Sequence, residues 1–138
     1  MTALSCTTVL QEQQENVNSV TFESATRGGF KSITIYKSKV FVNINHSAES
    51  FVIDKGEWDT LLILLQDIEI NQLSEFSVPS NDRSRDVAWH SKISIDTKAG
   101  ANYETRIFDN YRCPKELKEL MKFLKHLDEK YNNEIRVF

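Results

Sequence analysis

Apolar residues fall on alternate positions through most of the stretch from Val20 to Ile44, a spacing that a helix cannot gather onto one side. Val20 and Phe22 alternate with Thr21 and Glu23, Ile33 and Ile35 flank Thr34, and Val40, Val42 and Ile44 are separated by Phe41 and Asn43. Period two places every second side chain on one face of an extended strand. The breaks Arg27-Gly28-Gly29 and Lys37-Ser38-Lys39 are short enough for hairpins, so the stretch predicts a three-strand meander. The first break is expected to use a glycine at positive φ.

The period then lengthens. Trp58, Leu61, Leu62, Leu65 and Ile68 stand at helical spacing behind Asp54 and Glu57, which resemble a capping box with Asp as first member, and predict a helix over Lys55 to Ile68. Glu69 to Asp86 has no apolar repeat and carries Pro79, so it reads as a long surface connection, a kind of segment that often bears function. Val87, Trp89, Ile93 and Ile95 then define one face of a fourth strand, and Tyr103, Thr105 and Ile107 one face of a fifth, joined through Lys98-Ala99-Gly100. A second helix opens after Pro114 and carries the stripe Leu117, Leu120, Met121, Leu124, Leu127 and Tyr131 until Asn132-Asn133. Glu134 to Phe138 either frays or adds an edge strand through Ile135 and Val137.

This order predicts an α+β fold: a two-layer sandwich in which an antiparallel sheet of about five strands (βββ-α-ββ-α) has two helices packed on one face. Residues 1–19, rich in Thr, Gln, Glu and Asn, read as a flexible tether, and 20–138 as one domain. Glu23, Thr34, Tyr36, Phe41, Asn43, His90, Lys92, Glu104 and Arg106 are expected on the uncovered face. With 138 residues the chain can bury a core without metal or disulfide. Seventeen basic against twenty acidic side chains give net charge −3, which disfavours nonspecific nucleic-acid binding. The longest apolar run, Leu61 to Leu65, falls far below the roughly 20 residues of a membrane-spanning helix. Two cysteines make neither a disulfide framework nor a four-cysteine zinc site.

Three stretches carry a resemblance. Glu23-Ser24-Ala25-Thr26-Arg27-Gly28 leads to Ile33-Thr34-Ile35; Arg83, Asp86, Ala88, Ile93 and Ile95 fit an Arg-x-x-Asp-Gly-Ala motif entering a strand; Tyr103 and Phe108-Asp109-Asn110 precede Pro114-Lys115-Glu116-Leu117. In these, from Phe22 to Leu120, the chain resembles a group of small uncharacterised proteins of flavobacteria and related Bacteroidota, many of which carry lipoprotein signals. The resemblance implies an envelope location and brings no activity with it. Val87 stands where the group has Gly, Asn110-Tyr111 where it has His-Gly, and Cys113 at the first proline of its pair, which argues against a shared catalytic histidine.

Cys6 follows Thr2-Ala3-Leu4-Ser5, similar to the end of a lipoprotein signal, and makes Cys6 a lipidation candidate if the precursor extends upstream of Met1. An ordinary thiol in a cytosolic tail is the competing reading. Asp86, His90 and Asp109 form the sharpest chemical set, since a His with carboxylates binds metal or acts as a base. Strand rise separates Asp86 from His90 by about 13 Å, so turn and surface roles are favoured for them. Arg27 offers an anion contact and Arg83 lies on the long connection, whereas His46 and His126 read as surface histidines. Cys113 at the helix entry is expected to feel the N-terminal dipole, which lowers a thiol pKa. The Lys and Glu flank of the second helix reads as solvated surface. Tyr36 and Phe41 on the open sheet face are candidates to seed a partner surface.

The leading expectation is a non-enzymatic, lipid-anchored binding domain of the cell envelope, without cofactor, taking a protein or small ligand on its sheet face or long connection and touching membrane only through the anchor. A metal-dependent or hydrolytic enzyme centred on Asp86, His90 and Asp109 is the first alternative, and a cytosolic interaction domain the second.

Overall fold

The computed structural model describes residues 16–78 and 89–135, with side chains through residue 132. Seven strands form one antiparallel sheet: β1 Val17–Thr26, β2 Gly29–Tyr36, β3 Lys39–Ile44, β4 Ser47–Val52, β5 His90–Thr97, β6 Asn102–Glu104 and β7 Phe108–Asp109. The spatial order is β4-β3-β2-β1-β5-β6, with β7 also pairing β5. Helices α1 (Lys55–Leu65) and α2 (Lys118–Ile135) pack on one face. The fold is therefore the expected two-layer α+β sandwich, with a somewhat larger sheet.

The alternation from Val20 to Ile44 is what builds its centre. Val20, Phe22, Ile33, Ile35, Val40 and Val42 are all buried, and β5 adds Ile93 and Ile95. Trp58, Leu61 and Leu65 of α1 close the core from above, and the expected stripe does so from Leu117, just before α2, to Tyr131 within it.

Several boundaries differ from the sequence reading. The strand β1 begins at Val17, and both Val17 and Ser19 are buried, so the domain starts before Val20. Its pairing with β5 slips between Val17 and Ser19, an irregularity that breaks simple alternation there. The strand β4 has no apolar repeat, because it is the sheet's edge and five of its six residues are exposed. The surface connection expected after α1 opens with a 3-10 helix, Ile70–Glu75, that buries Ile70 and Leu73. The Arg106 Nε donates to the Ser74 carbonyl at 2.9 Å and ties this helix down. Helix α1 ends at Leu65, short of Ile68, and α2 continues through Asn132-Asn133 to Ile135, so Ile135 is helical and Val137 lies outside the described residues.

Turn chemistry also departs from expectation. Neither glycine of the Arg27-Gly28-Gly29 break has a left-handed φ; the glycine that does is Gly100, at +93°. Gly29 answers a different need, since a Cβ there would lie 3.3 Å from the Trp89 ring. The left-handed hairpin falls instead between β3 and β4, where Asn45 and His46 have φ of 48° and 75°. Two successive positive φ values make a type I′ turn, whose twist suits a two-residue hairpin. Asn45 further anchors it by donating from its N–H to the Phe30 carbonyl and accepting the Phe30 N–H on Oδ1. Histidine is the poorer fit in a left-handed backbone, so His46→Gly is expected to stabilise the domain by about 0.5 to 1 kcal/mol in urea unfolding. A loss of stability would contradict this turn.

Candidate functional site

The face of the sheet opposite the helices is built in rows by the strand register. One row runs Ser50, Phe41, Thr34, Thr21, Ser94, Glu104. It is mostly hydroxyl and charge: Thr21 and Thr34 share a hydrogen bond at 3.0 Å, and Lys92 bridges Glu23 and Glu104 at 3.3 and 2.9 Å. The Glu104 carboxylate, helped by Glu23, holds the Lys92 ammonium above its usual pKa. Phe41 is 40% exposed, as expected, and Tyr36 lies diagonally beside it, with the Lys39 ammonium 5.2 Å from its ring centre. Apolar exposure on this face includes its β3–β4 edge, where Val52 stands out from the neighbouring strand.

A groove of about 530 Å³ opens at one end of the sheet. Four segments meet there: the start of β1 (Val17, Asn18), the β2–β3 turn (Tyr36 to Lys39), the β5–β6 turn (Lys98) and one side of α1. From α1 it takes Lys55, Trp58, Asp59 and Leu62, whose i, i+3, i+4, i+7 spacing puts them on one helix face. Val17, Trp58 and Leu62 make an apolar floor, and four lysines with a single aspartate make the rim. Among the described residues none of Lys37, Lys39, Lys55 and Lys98 makes an ion pair, whereas Lys31, Lys92 and Lys130 are each held by carboxylates.

The other expected residues are placed as follows. Cys6, Arg83 and Asp86 lie outside the described residues. His90 and Asp109 are brought opposite each other by the β5–β7 pairing. Asp109 is buried, its carbonyl accepting the Arg112 N–H at 2.8 Å, and His90 is exposed. That pair sits at the end of β5 away from Lys98, about 25 Å from the groove by strand rise. Arg27 is exposed in the β1–β2 turn. Among the described residues no set of three or more His, Cys, Asp or Glu side chains is placed to hold a metal ion, and no helix is long and apolar enough to cross a membrane. Burial raises the Cys113 thiol pKa, overriding the lowering expected at the helix entry.

Sequence reasoning found Tyr36 but missed the lysines around it. The available signal was positional: Lys37, Lys39 and Lys98 flank or occupy hairpin turns, and Lys55 opens α1. The antiparallel pairing of β1 with both β2 and β5 carries the β2–β3 and β5–β6 turns to the same end of the sheet and brings these lysines together. Comparison of the chain with protein-family models, curated proteins and solved structures gives no match in any of the three.

Proposed function

We propose that this chain is a non-catalytic binding domain that takes a small ligand in the groove between α1 and the β2–β3 turn. The observation that carries the reading is the groove itself, with an apolar floor under a polar rim and a volume within the roughly 300 to 1,000 Å³ typical of ligand sites. Its walls come from both layers of the sandwich and from two hairpin turns. The placement of Cys6 behind Thr2-Ala3-Leu4-Ser5, together with the resemblance to lipoprotein-bearing proteins, supports an envelope location with the domain held by a lipid at that cysteine.

A fragment screen by two-dimensional NMR tests the binding reading, using a mixed set of neutral, anionic and cationic aromatic and aliphatic compounds. Shifts are expected to gather at Tyr36, the Trp58 indole and Leu62. Shifts gathered at His90 and Asp109, with hydrolysis of any fragment, would favour the enzymatic alternative. For the anchor, intact mass and membrane partitioning of natively expressed protein should show a lipid-modified Cys6. Cys6→Ser should release the protein into the soluble fraction, and an unmodified soluble wild type would discard the envelope location.

A further inference from the structure

We infer that the groove's ligand is a soluble organic phosphate with a flat apolar body, an inference that rests on the binding reading above and gives that ligand its chemistry. Four ammonium groups against one carboxylate make a strongly positive rim on a chain whose net charge is −3. Elsewhere Lys31 is held by Asp128, Lys92 by Glu23 and Glu104, and Lys130 by Asp54 and Glu57, while Lys115, Lys118 and Lys125, outside any ion pair among the described residues, are spread along the second helix and its entry rather than gathered round an opening. The rim lysines have no such partner among the described residues, so their mutual repulsion is relieved when an anion enters. Lysines from three separate segments (β2–β3 turn, α1, β5–β6 turn) converge on one opening, which suits an anion that accepts from several directions. A phosphate monoester carries about two negative charges and three acceptor oxygens, whereas a single carboxylate offers two oxygens in one plane. The floor of Val17, Trp58 and Leu62, with the half-buried Tyr36 beside it, calls for an apolar and preferably aromatic remainder.

The test is an NMR titration of the whole chain with phenyl phosphate, inorganic phosphate and benzyl alcohol, followed at the Trp58 indole and the Lys37 amide. Phenyl phosphate is expected to bind at least tenfold more tightly than either half-molecule, and to weaken as salt is raised. The double variant Lys37→Gln/Lys98→Gln should weaken it about tenfold while leaving benzyl alcohol unchanged; both side chains are exposed and, among the described residues, outside any ion pair, so folding is not at stake. Benzyl alcohol binding as tightly as phenyl phosphate would overturn the phosphate assignment while leaving a ligand groove. No response at these two positions to any of the three probes, when the fragment screen does respond there, would also overturn the phosphate assignment; silence in both would remove the groove reading itself. Binding to phosphatidylglycerol vesicles with none to phenyl phosphate would replace the soluble ligand by a membrane surface.

Discussion

Replacing Phe108 with alanine is expected to destabilise the domain by about 3 to 5 kcal/mol, and replacing its neighbour Ile107 by under about 1 kcal/mol. The contrast follows from a single slip in strand register. β6 pairs with β5 through Ser94↔Glu104, whereas β7 pairs with it through Ser91↔Phe108, one residue out of step. Between them Thr105 remains in the first register, its N–H donating to the Ile93 carbonyl at 2.9 Å and its Oγ1 accepting the Ile93 N–H at 3.1 Å. The extra residue that follows is a β-bulge, and a bulge turns every later side chain to the opposite face. Ile107 is consequently 47% exposed, while Phe108 is fully buried in the core. Removing the Phe108 ring leaves a cavity lined by side chains that are already close-packed and can collapse only in part. Thermal unfolding of the two variants reads the difference directly, with Phe108→Ala falling by roughly 10 °C or more. Equal effects would mean that β6 runs on without the bulge, and a larger effect at Ile107 would restore the simple alternation.

That bulge marks where the sequence stops being legible. Alternation speaks for the strands that are buried on one face, so Val20 to Val42 and Ile93 to Ile95 were placed correctly, as was the α2 stripe. It says nothing of an edge strand such as β4, whose Ser, Ala and Glu face solvent and whose pairing is set by the Asn45-His46 turn. Nor does it register a one-residue slip, which is why Ile107 was expected inside. The candidate site was harder to see. Its lysines are individually ordinary surface residues; they acquire meaning when the β1–β5 pairing and α1 gather three chain segments at one end of the sheet. His90 and Asp109, by contrast, were singled out by residue type, and the β5–β7 register sets them opposite each other in the backbone at the far end of β5, one exposed and one buried.

Glu57 gives the second large effect, and here too the local reading misplaced the side chain. As the last residue of a four-residue capping box it should turn back to the start of its own helix, but neither it nor Asp54 makes that contact. Both reach across to α2. The Tyr131 hydroxyl donates to Glu57 Oε1 at 2.7 Å, and the Lys130 ammonium donates to Glu57 Oε2 at 2.8 Å and to Asp54 Oδ2 at 3.1 Å. Glu57 is therefore the clasp between the two helices. Glu57→Ala leaves the buried Tyr131 hydroxyl without its acceptor and is expected to cost about 2 to 3 kcal/mol at neutral pH. The pH dependence has a definite sign. Burial, reinforced by the Glu57 carboxylate, raises the Tyr131 pKa, and the hydrogen bonds to Glu57 and then Asp54 raise that of Lys130. A raised pKa means that the folded state holds its proton more tightly than the unfolded chain does. The stabilisation is accordingly complete below the ordinary values of about 10 for tyrosine and 10.4 for lysine, and is lost as pH climbs past them. Urea unfolding at pH 7 and pH 11.5 should show the gap between wild type and Glu57→Ala narrowing at the higher pH. Lys92 is raised as well, but its partners are untouched by the substitution, so its contribution cancels in the difference. A gap that stayed constant would leave Glu57 a packing contact, whereas one that closed would establish the clasp as a bond between a carboxylate and two groups that must keep their protons.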